Sequence, residues 1–106
     1  MDTLTKILVI GTNEKILATV LRLLNTNESW RATGVSNAEE ALQKCREQHY
    51  QILLIGAGLT DTEEHDLSRR IKEIHTDIHV IPHYGGGSGL LFAEIYLALG
   101  TTNQAQ

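Results

Sequence analysis

The sequence predicts an α/β fold, a parallel sheet held between helices in a three-layer αβα sandwich. Three observations lead to it. The apolar runs Lys6-Ile7-Leu8-Val9-Ile10 and Gln51-Ile52-Leu53-Leu54-Ile55 are continuous rather than alternating, and each stops at a glycine, Gly11 and Gly56. Runs of that kind are buried on both faces, as central parallel strands are. Between them the apolar spacing changes to that of a helix, with Ile16, Leu17, Val20, Leu21 and Leu24 on one stripe. Strand-like and helix-like segments then alternate at intervals of roughly 20–25 residues, the spacing of βαβ units with right-handed crossovers.

The first strand, residues 6–10, is followed by a helix between Asn13 and Asn25. Trp30 to Val35 reads as a second, weaker strand, and its Thr33 and Gly34 place it at a sheet edge. Ser36-Asn37 opens the second helix. Asn37 is its N-cap, Glu40 is the reciprocal partner, and Ala38, Ala41, Leu42 and Cys45 form the buried stripe. After the third strand, residues 51–55, Thr60-Asp61-Thr62-Glu63 is a cap signature for a helix marked by Leu67, Ile71 and Ile74. Asp77 to His83 is the fourth strand, and Pro82 near its end makes it an edge, because proline cannot donate to a ladder. A last helix runs from about Ser88 to Leu99 and stops at Gly100. With the two most apolar strands adjacent in the middle, the order becomes 2-1-3-4 in four βα units, a flavodoxin-like arrangement.

At 106 residues the chain forms one domain, expected over residues 1–100, with a polar, disordered tail at 101–106. A hydrophobic content of 42% is enough for a packed core and excludes intrinsic disorder. The single cysteine excludes a disulfide framework and fits a reducing compartment. A net charge of −4, with no cluster of Lys and Arg, disfavours direct nucleic-acid binding. Asp2 and the short run at 6–10 do not make a signal peptide, and Leu90 to Leu99, interrupted by Glu94, is too short for a bilayer. These features predict a cytoplasmic domain with no membrane partner.

In open α/β sheets, ligands bind beyond the carboxyl ends of the strands. Three loops converge there: Gly11-Thr12-Asn13, Gly56-Ala57-Gly58, and His83-Tyr84-Gly85-Gly86-Gly87-Ser88-Gly89. They hold seven of the nine glycines and no Asp, Glu, Lys, Arg or Cys, so no nucleophile–base pair can be assembled from them. In this register the sequence resembles the receiver domain of two-component response regulators. Lys6-Ile7-Leu8-Val9-Ile10 is similar to the family's first strand, and Val35-Ser36-Asn37-Ala38-Glu39-Glu40-Ala41-Leu42 to its entry into the second helix. Ile52-Leu53-Leu54-Ile55 with Gly58-Leu59-Thr60-Asp61 resembles its third strand and following loop, so that the likeness spans about residues 5 to 84.

The resemblance implies where the family's chemistry would sit. Its Mg²⁺-holding acidic pair falls on Gly11 and Thr12, its phosphoacceptor aspartate on Gly56, and its Ser/Thr on about His83. No lysine follows the fourth strand, and the family's fifth βα unit, which carries that lysine, has no counterpart here. Aspartyl phosphorylation needs a carboxylate nucleophile and hard oxygen ligands, and glycine supplies neither. The resemblance therefore implies a degenerate receiver, a non-enzymatic signalling or protein-interaction module with no cofactor. Glu14, Asp61 and Glu63 do not replace the missing acids, because each begins a helix where a carboxylate complements the dipole. The alternative is a small-ligand sensor. Gly11, Thr12, Gly56, Gly58, His83, Gly85, Gly86, Gly87 and Ser88 would then hold a phosphate or nucleotide on bare backbone N–H groups.

The remaining candidates read as structural. His75, His79 and His83 are spaced by four, but on a strand His79 and His83 lie roughly 13 Å apart, too far to share an ion. His49 and His65 read as exposed helix residues, Cys45 as a small core residue, and Trp30 as packing at the start of the second strand. In the last helix Leu90, Leu91, Phe92, Ile95, Tyr96 and Leu99 leave no polar face, with Glu94 the only charge. A helix apolar all round is buried on both sides. With nothing else in so small a domain to cover it, this helix predicts a homodimer interface shared with the edge of the fourth strand.

Overall fold

A computed structural model describes residues 5–56 and 59–82 of the chain. Seven elements alternate along them: β1 (Thr5–Ile10), α1 (Glu14–Leu24), β2 (Trp30–Val35), α2 (Ala38–Glu47), β3 (Ile52–Ile55), α3 (Asp61–Ile74) and β4 (His79–Pro82). The strands form one parallel sheet in the order β2-β1-β3-β4, with Ile7 opposite Ala32 on one side and Ile52 on the other. This is the expected order, with the two apolar runs adjacent at its centre. The helix expected between Asn13 and Asn25 uses those two asparagines as its caps.

The fourth strand is shorter than expected. Asp77 and Ile78 precede it: the Ile78 N–H closes a turn onto the His75 carbonyl at 3.3 Å, and Asp77 turns its carboxylate to His49. His83, the last helix, its proposed interface residues and the tail lie outside the described residues, as do Ala57 and Gly58.

The continuity of the β1 run has its cause in burial. Ile7 and Val9 face Val20 and Leu24 of α1 together with Trp30, Ile52 and Leu54. Leu8 and Ile10 face the opposite layer, where Ala41, Leu42 and Cys45 of α2 meet Leu67 and Ile71 of α3. All four β1 side chains from Ile7 to Ile10 are 0% exposed, as are the four of β3. Each such side chain contributes about 1.5–3 kcal/mol by leaving water, so the two central strands carry a large share of the driving force. Among the described residues the core holds no charged group.

Local chemistry sets the helix ends. Thr60 and Glu63 form a complete capping box: the Glu63 N–H donates to Thr60 Oγ1 at 3.1 Å, and the Thr60 N–H donates to Glu63 Oε1 at 2.9 Å. At α2 the Glu40 N–H donates to Asn37 Oδ1 at 2.8 Å. The return contact is displaced by one residue, because Glu40 Oε1 accepts from the Ser36 N–H at 2.9 Å instead of from the cap itself.

Gly34 in β2 makes room for the α1 leucines. A Cβ there would lie 2.6 Å from Leu21 Cδ1 and 3.2 Å from Leu17 Cδ1, so α1 rests directly on the strand backbone. Gly34→Val should therefore overpack this contact and lower stability by about 1–3 kcal/mol. Urea unfolding should show this as a lower midpoint with an unchanged slope.

Candidate functional site

The carboxyl edge of the sheet is where the fold would place a ligand. β1 leads into Gly11 and β3 into Gly56, and the ladder holds these two residues side by side. The Gly56 N–H donates to the Ile10 carbonyl at 2.8 Å, and the Gly11 N–H donates to the Val35 carbonyl at 3.1 Å. Both glycines are buried, while Thr12 is exposed beside them. Gly11 and Gly56 thus stand at the ends of adjacent strands, and Thr12 follows Gly11. The other residues expected in this site, Gly58, His83, Gly85, Gly86, Gly87 and Ser88, fall outside the described residues.

The carboxylates nearest this edge in sequence lie at helix starts. Glu40 Oε1 accepts from both the Ser36 N–H and Oγ, at 2.9 and 3.2 Å. Glu63 is held in the Thr60 box, and Glu14 and Asp61 occupy the first turns of α1 and α3. Asn13, the polar residue after Thr12, accepts from the Ile16 N–H at 3.1 Å to cap α1. Each reads as helix chemistry rather than as a replacement for a metal ligand.

A second polar cluster lies at the opposite edge of the sheet, and sequence reasoning missed it. α2 ends at Glu47, so His49 is not on a helix; it sits in the connection that leads into β3. Its Nε2 lies 3.1 Å from Asp77 Oδ1, and its ring meets His75 edge to face with centroids 4.6 Å apart. His75, the C-cap of α3, donates from Nε2 to the Cys45 carbonyl at 2.6 Å and is 3.1 Å from the Gln48 carbonyl. Those are two of the carbonyls that the end of α2 leaves without a helical partner. His75 therefore clamps α3 to α2 and is no member of a histidine metal set. The one sequence signal was the 28-residue separation of a histidine and an aspartate, which has no local pattern.

Two protonation states follow from these surroundings. The hydrogen bond from His49 holds the Asp77 carboxyl below its ordinary range, and a hydrogen bond from the Asp77 backbone adds to the effect. Burial among apolar side chains raises the Cys45 thiol to about 11, so it stays protonated at neutral pH and is a poor nucleophile.

Comparison with known proteins identifies the architecture. No protein-family model matches the sequence, and no curated protein matches it. Solved structures do. A response regulator receiver domain protein from Clostridium thermocellum superposes with a TM-score of 0.80 at 19% identity, covering 97% of this chain and 100% of that one. A two-component response regulator from Clostridium difficile gives 0.74 at 18% identity, covering 93% and 98%. A putative pilus assembly-related protein from Burkholderia pseudomallei gives 0.62 at 20% identity, covering 98% and 90%. The chain has the receiver fold, the flavodoxin-like sandwich expected from its strand pattern. Among the described residues, no helix is long and apolar enough to cross a membrane.

Two outcomes are expected from the protonation states. Iodoacetamide should leave Cys45 unmodified in the native chain and label it once urea has unfolded the protein, which intact-mass measurement reads directly. The Asp77–His49 contact stabilises the fold above the ordinary aspartate range and loses that effect as pH falls through the lowered folded-state pKa. Asp77→Asn should accordingly lower Tm slightly at pH 6, where the exposed contact is intact, and the difference from wild type should vanish in strong acid.

Proposed function

We propose that this receiver-fold chain works through protein contacts and takes up no phosphoryl group. The observation that carries this reading is the pair Gly11 and Gly56, adjacent and buried at the two central strand ends where the receiver resemblance places a metal-holding acid and the phosphoacceptor. A phosphoryl acceptor must offer a carboxylate oxygen as nucleophile, and Mg²⁺ must find oxygen ligands close by. Gly56 has no side chain, Gly11 has none, and Thr12 offers one neutral hydroxyl. Glu40 and Glu63 are held at helix caps, and Glu14 and Asp61 lie in the first turns of α1 and α3. With the reaction removed, what the fold retains is surface, and the reading is a signalling or assembly module that is not an enzyme. The similar structures carry names from both signalling and pilus assembly, and a shared fold does not choose between such roles.

The same reading includes self-association in the cytoplasm. The segment Leu90, Leu91, Phe92, Ile95, Tyr96 and Leu99 is apolar at every helical position but that of Glu94, and a second copy would cover the side that one domain leaves bare. Direct nucleic-acid and membrane partners do not suit a chain of charge −4 with scattered cations.

Incubation with acetyl phosphate and Mg²⁺, followed by intact-mass analysis, should show no phosphorylated species; a phosphorylated species would overturn the reading. Light scattering after size exclusion at micromolar concentration should give the mass of two chains, and the mass of one would remove the self-association. A thermal-shift series with inorganic phosphate and nucleotides at millimolar concentration should be flat. A saturable rise in Tm would favour the small-anion sensor built on Gly11, Thr12 and Gly56.

A further inference from the structure

β2 has one hydrogen-bonded neighbour among the described residues, β1, and its other edge faces outward. Which backbone groups lie on that edge follows from the ladder. The carbonyls of Ser29 and Val35 accept from the Thr5 and Gly11 N–H groups at 2.8 and 3.1 Å, so the odd-numbered residues turn toward β1. The N–H and C=O of one strand residue point the same way, so Trp30, Ala32 and Gly34 turn outward. The Trp30 N–H is taken by the Asn27 carbonyl at 3.1 Å, within the α1–β2 turn. At Ala32 both groups are occupied by one side chain. The Ala32 N–H donates to Asn25 Oδ1 at 2.9 Å, and Asn25 Nδ2 donates to the Ala32 carbonyl at 3.3 Å.

That pair of bonds is what a neighbouring strand would supply. In an antiparallel ladder, two directly opposed residues of a hydrogen-bonded pair exchange both N–H···O=C contacts. The Asn25 carboxamide carries the same donor and acceptor as a peptide group and makes the same exchange from within its own chain. Two copies meeting about a two-fold axis at this edge would run antiparallel, since identical strands related by such an axis oppose each other. Centred on Ala32, the pairing sets Ala32 against Ala32, Trp30 against Gly34, and Arg31 against Thr33. A large residue then faces a small one, and no charge opposes a like charge.

We infer that the outer edge of β2 is a strand-addition surface for the β2 of a second copy of this chain, and that Asn25 keeps it closed. Edge strands are templates for unwanted pairing, and natural proteins protect them with charges, bulges or covering segments. Here the cover is a single carboxamide, placed by the end of α1: Asn25 is the C-cap of that helix, its own N–H held by the Leu21 carbonyl at 2.9 Å. Closure of the edge thereby depends on α1 sitting against β2, the contact in which Gly34 admits Leu21. This inference is independent of self-association through residues 90–99, because its signal is a change relative to the wild-type chain, whatever mass that chain has.

Amide hydrogen exchange and light scattering test it together, on the whole chain and on Asn25→Ala. In the wild type the Ala32 amide should be protected although it lies on an outer edge, while the Gly34 amide exchanges at least about tenfold faster. In dilute Asn25→Ala, Ala32 should lose that protection with the β1 and β3 amides unchanged, which separates opening of the edge from unfolding. As the variant is concentrated, its mass should rise to twice the wild-type mass, and the Ala32 and Gly34 amides should slow together. Asn25→Asp retains an acceptor but loses the donor and brings like charges to the two-fold axis, so it should keep the wild-type mass. Equal exchange at Ala32 and Gly34 in the wild type would overturn the closure. A variant that keeps the wild-type mass at millimolar concentration, with no slowing at Ala32, would overturn the strand-addition surface.

Discussion

Residues Ile7 to Ile10 are enclosed on four sides, and the rest of the molecule is arranged around that enclosure. β2 and β3 bond to the two edges of β1, and helices cover its two faces: α1 over Ile7 and Val9, and α2 with α3 over Leu8 and Ile10. A strand in that position has no solvent side, so every residue in it is apolar, and the first residue past it marks where the sheet opens. The position of the candidate site follows from this. Gly11 and Gly56 stand next to each other because the β1–β3 register pairs Ile10 with Ile55 one residue earlier.

The two ends of the sheet differ in kind. Among the described residues at the carboxyl edge, Asn13, Glu40 and Glu63 each satisfy backbone N–H groups at a helix start. At the amino edge, side chains from different elements meet each other. His75 binds the end of α2, His49 packs on His75, and Asp77 pairs with His49. Among the described residues, the one end uses its polar groups to start helices, and the other uses its ionisable groups to hold helices together.

How much of this was legible in the sequence depended on range. β1, β3, the two edge assignments and the strand order are legible from continuous apolar runs, from Thr33 and Gly34 in β2 and from Pro82 in β4, signals contained within five or six residues. The Asn37 and Thr60 caps were legible for the same reason, since donor and acceptor lie three residues apart. The start of β4 was misplaced because Ile78 is apolar and buried, yet it closes a turn rather than a ladder. His49 reads as a helix residue from sequence, but the chain leaves α2 in extended form at Gln48 and brings Tyr50 into the core. The partnership of Asn25 with Ala32 spans a turn of seven residues and depends on where α1 ends, which no periodicity records. In the candidate site, the glycines at the strand ends were visible from sequence, but their burial and adjacency required the fold.

We propose that the receiver fold is kept here with its metal-binding chemistry removed. Manganese tests that most directly, because it competes for the same hard oxygen ligands as magnesium and broadens the NMR signals of nearby amides. In a ¹⁵N-labelled chain titrated with Mn²⁺, the Gly11, Thr12 and Gly56 amides should broaden no more than those of exposed residues across the surface. Selective loss of those three signals at micromolar Mn²⁺, reversed by excess Mg²⁺, would show a working metal site at the carboxyl edge and contradict the account.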